Sequence, residues 1–357
     1  MLYLRFLVFL MLLPSMGMRA ACAENQATPL TVGAIRWDGW FKDNPWQKNL
    51  AADQWHYRLP FYASTDATGN VEICGDSQEV MDREIAFAKA GGITYWAFCY
   101  YHPKSWKQAD AYNYGWRRYL AATDKKGLHF CFILQGGQHL GPANEWDTTS
   151  AQFANLFKDP AYQRVCGNRP LLFVFTGEKL ISHFGSAEAA ASAFQGLREA
   201  SKKNCGEDPY IVAQIWPHQI QADFLKAIRF DALSAYSAPG DKGGSEPFSK
   251  LLEMNRWYWE QFKSTGREVV PLVNAGWDGR PRNYSGVWYQ HATPVEVANA
   301  VKGGLDWVME NSVITPARTV LVYAWNEHDE GGWLCPAIDE NSARLEAIKK
   351  MMDAYSR

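Results

Sequence analysis

The sequence predicts an α/β fold built as a single (β/α)8 TIM barrel, with an aromatic-rich loop inserted after the first strand. Three observations predict it. Eight short apolar runs recur along the 357 residues, and each is near-continuous rather than alternating, as expected of parallel strands buried on both faces. Helical patterns separate the runs, the order that makes a barrel. No Gly-rich phosphate turn follows the first run, which disfavours the competing doubly wound open sheet. No linker, low-complexity tract or charge block marks a second domain, and chains of this length fold as one barrel.

The predicted strands are VGAIRW (Val32–Trp37), TYWAFCYY (Thr94–Tyr101), HFCFILQ (His129–Gln135) and PLLFVFT (Pro170–Thr176). They are followed by YIVAQIW (Tyr210–Trp216), ALSAYS (Ala232–Ser237), VVPLVNAGW (Val269–Trp277) and TVLVYAW (Thr319–Trp325). SQEVMDREIAFAKAGG carries apolar Val80, Ile85 and Ala88 and closes on Gly91. SAEAAASAFQGLREASKKN opens on a serine cap and ends in basic residues, matching the helix dipole. TPVEVANAVKGGLDWVMENS has Thr293 as cap, Pro294 at the first helical position and Glu296 three after the cap, a capping box. DENSARLEAIKKMMDAYS closes the chain. The connection from Trp40 to Asp76 is too long for a plain loop and reads as a structured rim or lid.

A net charge of −2 gives no reason to expect nucleic acid or an anionic membrane surface as partner. The outlying number is aromatic: 16 Trp, 17 Tyr and 18 Phe. Such rings suit half-wet surfaces, and a ring face matches the C–H face of a sugar. The N-terminus reads as a signal peptide over residues 1–23: Arg5, the apolar run FLVFLMLLPSMGM, then a small-residue site at Ala21–Ala23. The run is short for a membrane span. A lipoprotein anchored through Cys22 is the alternative, disfavoured by Arg19. The expected product is an exported, soluble monomer beginning at residue 24, periplasmic or extracellular. Six cysteines remain, with no CxxC pair. Cys99 and Cys131 read as core residues, and Cys166 with Cys205 is a candidate disulfide.

Barrel active sites form at the C-terminal strand ends, so the residues just past each strand are informative. Trp37 ends the first, with Asp38, Trp40 and Trp46 past it; Tyr101 ends the second, with His102 and Trp106 past it; Gln138 and His139 lie past the third. Glu178 lies past the fourth, Trp216 ends the fifth with His218 past it, and Asp241 lies past the sixth. Trp277 ends the seventh, with Asp278, Arg280 and Arg282 past it, and Asn326, Glu327, Asp329, Glu330 and Trp333 lie past the eighth. Acids and aromatics collect on one rim, the composition of a carbohydrate site. Glycoside cleavage needs two carboxyl groups. Glu327 and Glu330 stand three apart, so on a helical turn they share a face, and their mutual repulsion would keep one protonated. Read more plainly, the same acids form a solvated loop, or Asp329 or Glu330 caps the next helix; Arg280 and Arg282 are surface charges, and the histidines are hydrogen-bonded loop residues. The position after the eighth strand favours chemistry. No HExxH, other tight metal spacing or GxSxG is present, so no metal or cofactor is expected.

Four stretches resemble one family in order along the chain: DREIAFAKAGGITYWAFCYY, FKDPAYQRVCGNRPLLFVF, PLVNAGWDGRPR and AWNEHDEGGWLCP. They are similar to the second-strand region, the Gly-x-x-Pro approach to the fourth strand, the seventh-strand Gly-Trp-Asp-x-x-Pro-Arg signature and the eighth-strand Asn-Glu-x-x-Glu-Gly signature of the WbsX-like, glycoside hydrolase family 99-like barrels. The resemblance implies endo-acting, retaining cleavage of α-mannosides. It implies that Glu327 acts on the sugar's 2-hydroxyl and Glu330 is general acid and base, through a 1,2-anhydro sugar. That route requires the 2-oxygen and the leaving group to be trans, as in α-mannosides and α-L-rhamnosides. This chain departs from the family at His328, where an aromatic is usual, at Leu334-Cys335-Pro336 in place of Leu-Glu-Pro, and at IRWDGW in the first strand. The expectation is a secreted glycosidase acting on polysaccharide or glycan. The alternatives are a non-catalytic glycan-binding barrel and a WbsX-like glycosyltransferase using an activated sugar donor.

Overall fold

The computed structural model describes residues 29–240 and 243–355; the signal-peptide segment, Cys22 and Asp241 lie outside them. Eight parallel strand positions close into a barrel. They are β1 (Thr31–Arg36), β2 (Tyr95–Tyr100), β3 (His129–Gln135), β4 (Arg169–Phe175), β5 (Tyr210–Gln214), β6 (Ala232–Ser234), β7 and β8 (Thr319–Tyr323). β7 comes in two pieces, Glu268–Val269 paired with β6 and Leu272–Asn274 paired with β8, and β8 pairs with β1 to complete the ring. The break is chemical. Pro271 has no N–H to give a ladder, so Val270 donates to Leu233 on one side while the Pro271 carbonyl accepts from Leu321 on the other. The predicted strands all form, but Trp37, Tyr101, Trp216, Trp277 and Trp325 fall just past the last ladder bonds, on the rim.

Nine helices among the described residues pack outside the ring: α1 (Gln78–Ala90), α2 (Tyr114–Ala121), α3 (Trp146–Leu156), α4 (Leu180–Phe184), α5 (Ala187–Cys205), α6 (Asp223–Ala227), α7 (Phe248–Lys263), α8 (Pro294–Glu310) and α9 (Ala343–Tyr355). The predicted caps form: Ser77 accepts from Val80 N–H at 3.1 Å, and Ser186 from Ala189 N–H at 3.1 Å. The Thr293–Glu296 box closes in both directions, at 3.3 and 2.8 Å. The apolar strand faces and inner helix faces merge into one core. No helix of the described residues is long and apolar enough to cross a membrane.

The candidate disulfide does not form. Cys205 ends α5, and its Sγ lies 3.5 Å from both Ser201 Oγ and the Glu207 carbonyl instead of bonding to Cys166. The Trp40–Asp76 connection is structured, as two 3-10 turns, Pro45–Leu50 and Asp53–Arg58, and a hairpin of Ala63–Thr65 with Val71–Ile73. The two turns deliver Trp46, Asn49 and Arg58 to the barrel rim.

Candidate active site

The chain stays out of solvent beyond β8: every residue of 319–337 is buried, three acids included. A solvated loop is therefore excluded. Asn326–Glu327 pairs antiparallel with Gly332–Trp333, and the turn between them, His328–Glu330, is 3-10. A 3-10 turn has three residues per turn, so positions i and i+3 eclipse, and Glu327 and Glu330 share a face. Gly331 permits the turn. Its φ is +80°, and an added Cβ would meet the Asp278 amide at 2.6 Å.

One guanidinium binds all three acids. Arg282, on the 3-10 turn Arg280–Arg282 after β7, donates from Nε to Asp329 Oδ2 at 2.6 Å and from Nη2 to Asp329 Oδ1 at 2.9 Å. Nη2 also reaches Glu327 Oε2 at 3.0 Å, and Nη1 donates to Glu330 Oε1. Phenols complete the set. Tyr236 donates to Glu327 Oε1 at 3.0 Å, Tyr323 to Glu330 Oε2, and Tyr284 to Glu330 Oε1 at 3.4 Å. Asn49 binds Asp329 Oδ2 at 2.8 Å. The Arg282 guanidinium stands over Trp37 at 5.1 Å and Trp46 at 4.9 Å, within cation–π range.

This crowding of acids in a dry site shifts their protonation. Burial, then the neighbouring Glu330, pushes Glu327 up to about 8. Burial also lifts Glu330; Arg282 opposes it and Asp329 adds to it. Burial works against Arg282, but the three carboxylates outweigh it and hold the guanidinium charged at every accessible pH.

The other predicted residues divide into groups. Trp37, only 8% exposed, covers Arg282. Trp40 is buried, with its indole N–H on the Asn326 carbonyl at 2.7 Å. The Asn326 side chain clasps the Trp37 backbone, accepting from its N–H at 2.9 Å and donating to its carbonyl at 2.7 Å. Tyr101 and His139 join Trp106 and Tyr112 in an aromatic cluster. Burial, and then the neighbouring Cys99 and Glu327, raise the Tyr101 phenol. Trp216 reaches the pair through Phe175, whose ring stacks on Tyr236 at 4.7 Å.

A second group is held mainly by other partners, with Asp278 meeting the pair through its main chain, its N–H donating to the Glu330 carbonyl at 2.6 Å. Asp38 is fully buried with Arg36 at 2.8 Å, and Arg36 also binds Glu84 at 2.8 Å. His102 is buried, its Nδ1 accepting from Lys104 N–H, and Gln138 is exposed. Trp277, Asp278, Arg280 and Trp333 line a neighbouring cleft of about 200 Å3, with Arg58 and Trp288. Although burial opposes it, Arg280 and Arg58 hold the Asp278 carboxylate below its usual range. Trp277 also faces the pair's phenols, at 5.8 Å from Tyr323.

Sequence reasoning missed Tyr236, Tyr323, Tyr284, Asn49 and Arg58. Tyr323 was hidden in an apolar run, and Tyr236 within a segment read as strand; tyrosines at the C-terminal ends of inward-facing strands were the available signal. The departure at His328 keeps an aromatic role: the ring stacks on Trp333 at 5.7 Å and 20°, and burial pushes it down to about 3, so it is neutral. Cys335 lies against Glu84 at 3.6 Å. Among the described residues, no group of three or more His, Cys, Asp or Glu side chains is arranged to hold a metal ion.

Comparison with known proteins gives a consistent placement. Of the solved structures, a "glycoside hydrolase-like protein" superposes with a TM-score of 0.64 at 15% identity, covering 90% of this chain and 93% of that one. The GH99 endo-alpha-mannosidase from Bacteroides thetaiotaomicron, in complex with bis-tris-propane, superposes with a TM-score of 0.59 at 14% identity, covering 91% and 97%. At such identities the likeness is one of fold. No curated protein matches the sequence. The sequence profile of the family described as "Glycosyltransferase WbsX" matches residues 113–348, from the start of α2 to well into α9 and including both signatures around Arg282 and Glu330. The chain therefore belongs to the WbsX family.

Proposed function

We propose that this chain is an exported glycoside hydrolase, endo-acting and retaining, that cleaves α-mannoside-like or other 1,2-trans glycosidic bonds in a polysaccharide or glycan. The observation that carries the reading is the Glu327–Glu330 pair, buried on one turn at the C-terminal end of β8 and joined by a single guanidinium. The aromatic wall of Trp37, Trp46 and Tyr101 beside it supports a sugar as ligand.

In this reading Glu327 takes the proton of the sugar's 2-hydroxyl as O2 attacks C1. Glu330 gives its proton to the departing glycosidic oxygen, and a 1,2-anhydro sugar forms. Water, deprotonated by Glu330, then opens the anhydro ring at C1, and O2 recovers its proton from Glu327. Two inversions give net retention. The pair must hold one proton, on Glu330. In the free site burial raises both carboxyls, and each resists the ionisation of the other. Two carboxyls this closely coupled titrate as a unit, and a hydroxyl donating to Glu327 favours the anion there. Docking of the sugar thus favours the shared proton on Glu330.

The test is a screen of the purified protein from residue 24 against α-mannans, rhamnose-containing glycans and N-glycans, without added sugar donor. Donor-independent cleavage that disappears in Glu330→Gln is expected. The family description favours a second reading, transfer from an activated sugar. Product formed only with a sugar donor would establish that reading in place of hydrolysis.

A further inference from the structure

The four hydrogen bonds of Arg282 are unevenly divided. Two go to Asp329, a residue given no part in the proposed reaction, and one to each glutamate. Asp329 is fully buried, and among the described residues its carboxylate is bound by Arg282 and Asn49. It is the side chain that fixes the guanidinium plane, through a two-pronged contact from Nε and Nη2, and the remaining donors then fall on Glu327 and Glu330. Trp37 and Trp46 close over the guanidinium, so water does not substitute for it.

We propose that Arg282 and Asp329 form one positioning unit that sets how many protons the Glu327–Glu330 pair carries, and thereby places the pH range of the reaction. The charge count shows why. Arg282 with three ionised acids leaves a net charge of −2 in a dry site, and one proton on the pair reduces it to −1. The other groups facing the pair are neutral at ordinary pH and do not change this count. They are Tyr236 beyond β6, Tyr284 beyond β7 and Tyr323 on β8, with the Cys99 thiol and Tyr101 at the end of β2; all five are raised, first by burial. Arg282 and Asp329 thus supply the fixed charges of opposite sign. Arg282 bonds the carboxyl oxygens of the pair, and Asp329 acts through Arg282.

The inference rests on the hydrolase reading but is separable from it. The experiment is the pH profile of kcat/KM on whichever glycan the screen shows to be cleaved, for three variants. Arg282→Gln removes a positive charge, so both carboxyl pKa values rise and both limbs of the bell move alkaline, by about one to three pH units. Asp329→Asn removes a negative charge while keeping an oxygen for Arg282, and both limbs move acid. Arg282→Lys keeps the charge but loses the fork; its bell stays in place while kcat falls at least about 10-fold. A purely structural role lowers all three amplitudes and moves no limb, which overturns the proposal. If Arg282→Gln does not fold, the direction of the Asp329→Asn shift decides alone. The infrared C=O band of protonated carboxyls, titrated on the protein without substrate, reads the same midpoints. Opposite shifts there in a protein that cleaves nothing would sink the hydrolase reading and leave this inference standing.

Discussion

Replacing Asn326 by alanine removes two buried hydrogen bonds at once. The amide oxygen accepts from Trp37 N–H at 2.9 Å and the amide nitrogen donates to the Trp37 carbonyl at 2.7 Å, all within residues that are 8% exposed or less. Alanine leaves a backbone donor and a backbone acceptor unpaired where water does not enter. Each costs about 1–3 kcal/mol, so the expected loss is about 2–6 kcal/mol, a large part of the roughly 5–15 kcal/mol that holds a domain together. The bond from Trp40 to the Asn326 carbonyl survives, because it uses only main chain on that side. Asn326→Asp should fare no better: it keeps an acceptor for the N–H but points an oxygen at the Trp37 carbonyl. Urea unfolding, followed by tryptophan fluorescence, measures the loss as a lower midpoint at unchanged slope. Because Trp37 lies on Arg282, activity at low denaturant should fall more than the folded fraction does. A change below about 0.5 kcal/mol, within the range of ordinary surface substitutions, would refute the clasp and with it the role of Asn326 in joining the β1 and β8 ends.

Buried charge and close packing give two more expected outcomes. Glu327 is raised to about 8 by burial and Glu330. The folded state therefore binds its proton more tightly than the unfolded chain, and this contribution is full below the ordinary carboxylate range and is lost as pH rises through about 8. Glu327→Gln should have a higher Tm than wild type at pH 8 and lose that margin toward pH 4; parallel Tm–pH curves would contradict the assignment. At Gly115, in the first turn of α2, an added Cβ would overlap the Asp38 carboxylate. Alanine gains about 1 kcal/mol in helix propensity, but overpacking against a rigid ion pair costs about 1–3 kcal/mol. Gly115→Ala should therefore unfold at lower temperature, and an unchanged or higher Tm would show that Asp38 is free to move.

Much of the barrel was readable from single residues, because buried parallel strands leave continuous apolar runs and the caps at Ser77, Ser186 and Thr293 are local chemistry. The break at Pro271 was readable in principle, since proline forbids the ladder bond, but which neighbour each half joins depends on closure of the ring. The Glu327–Glu330 spacing and Arg282 were visible for the same local reason. Their union was not: the contact spans 45 to 48 residues and depends on Asp329, which reads as a cap or a loop acid. Asp38 looked like a rim acid because it follows a strand. Its partner Arg36 holds it in a buried ion pair that Glu84 shares, and Glu84 lies 48 positions from Arg36. Asn49 and Arg58 come from an insertion whose path no periodicity describes.

The central claim is that the two glutamates act on one glycosidic bond in different roles, and leaving-group chemistry separates those roles. A fluoride departs without needing much protonation, whereas a sugar oxygen needs an acid. With α-mannosyl fluoride and a cleaved α-mannoside as paired substrates, Glu330→Gln should lose about 10²–10⁴-fold on the glycoside and far less on the fluoride. Glu327→Gln should lose comparably on both, since action at the 2-oxygen is needed whatever leaves. Equal losses on both substrates for both variants would contradict the account.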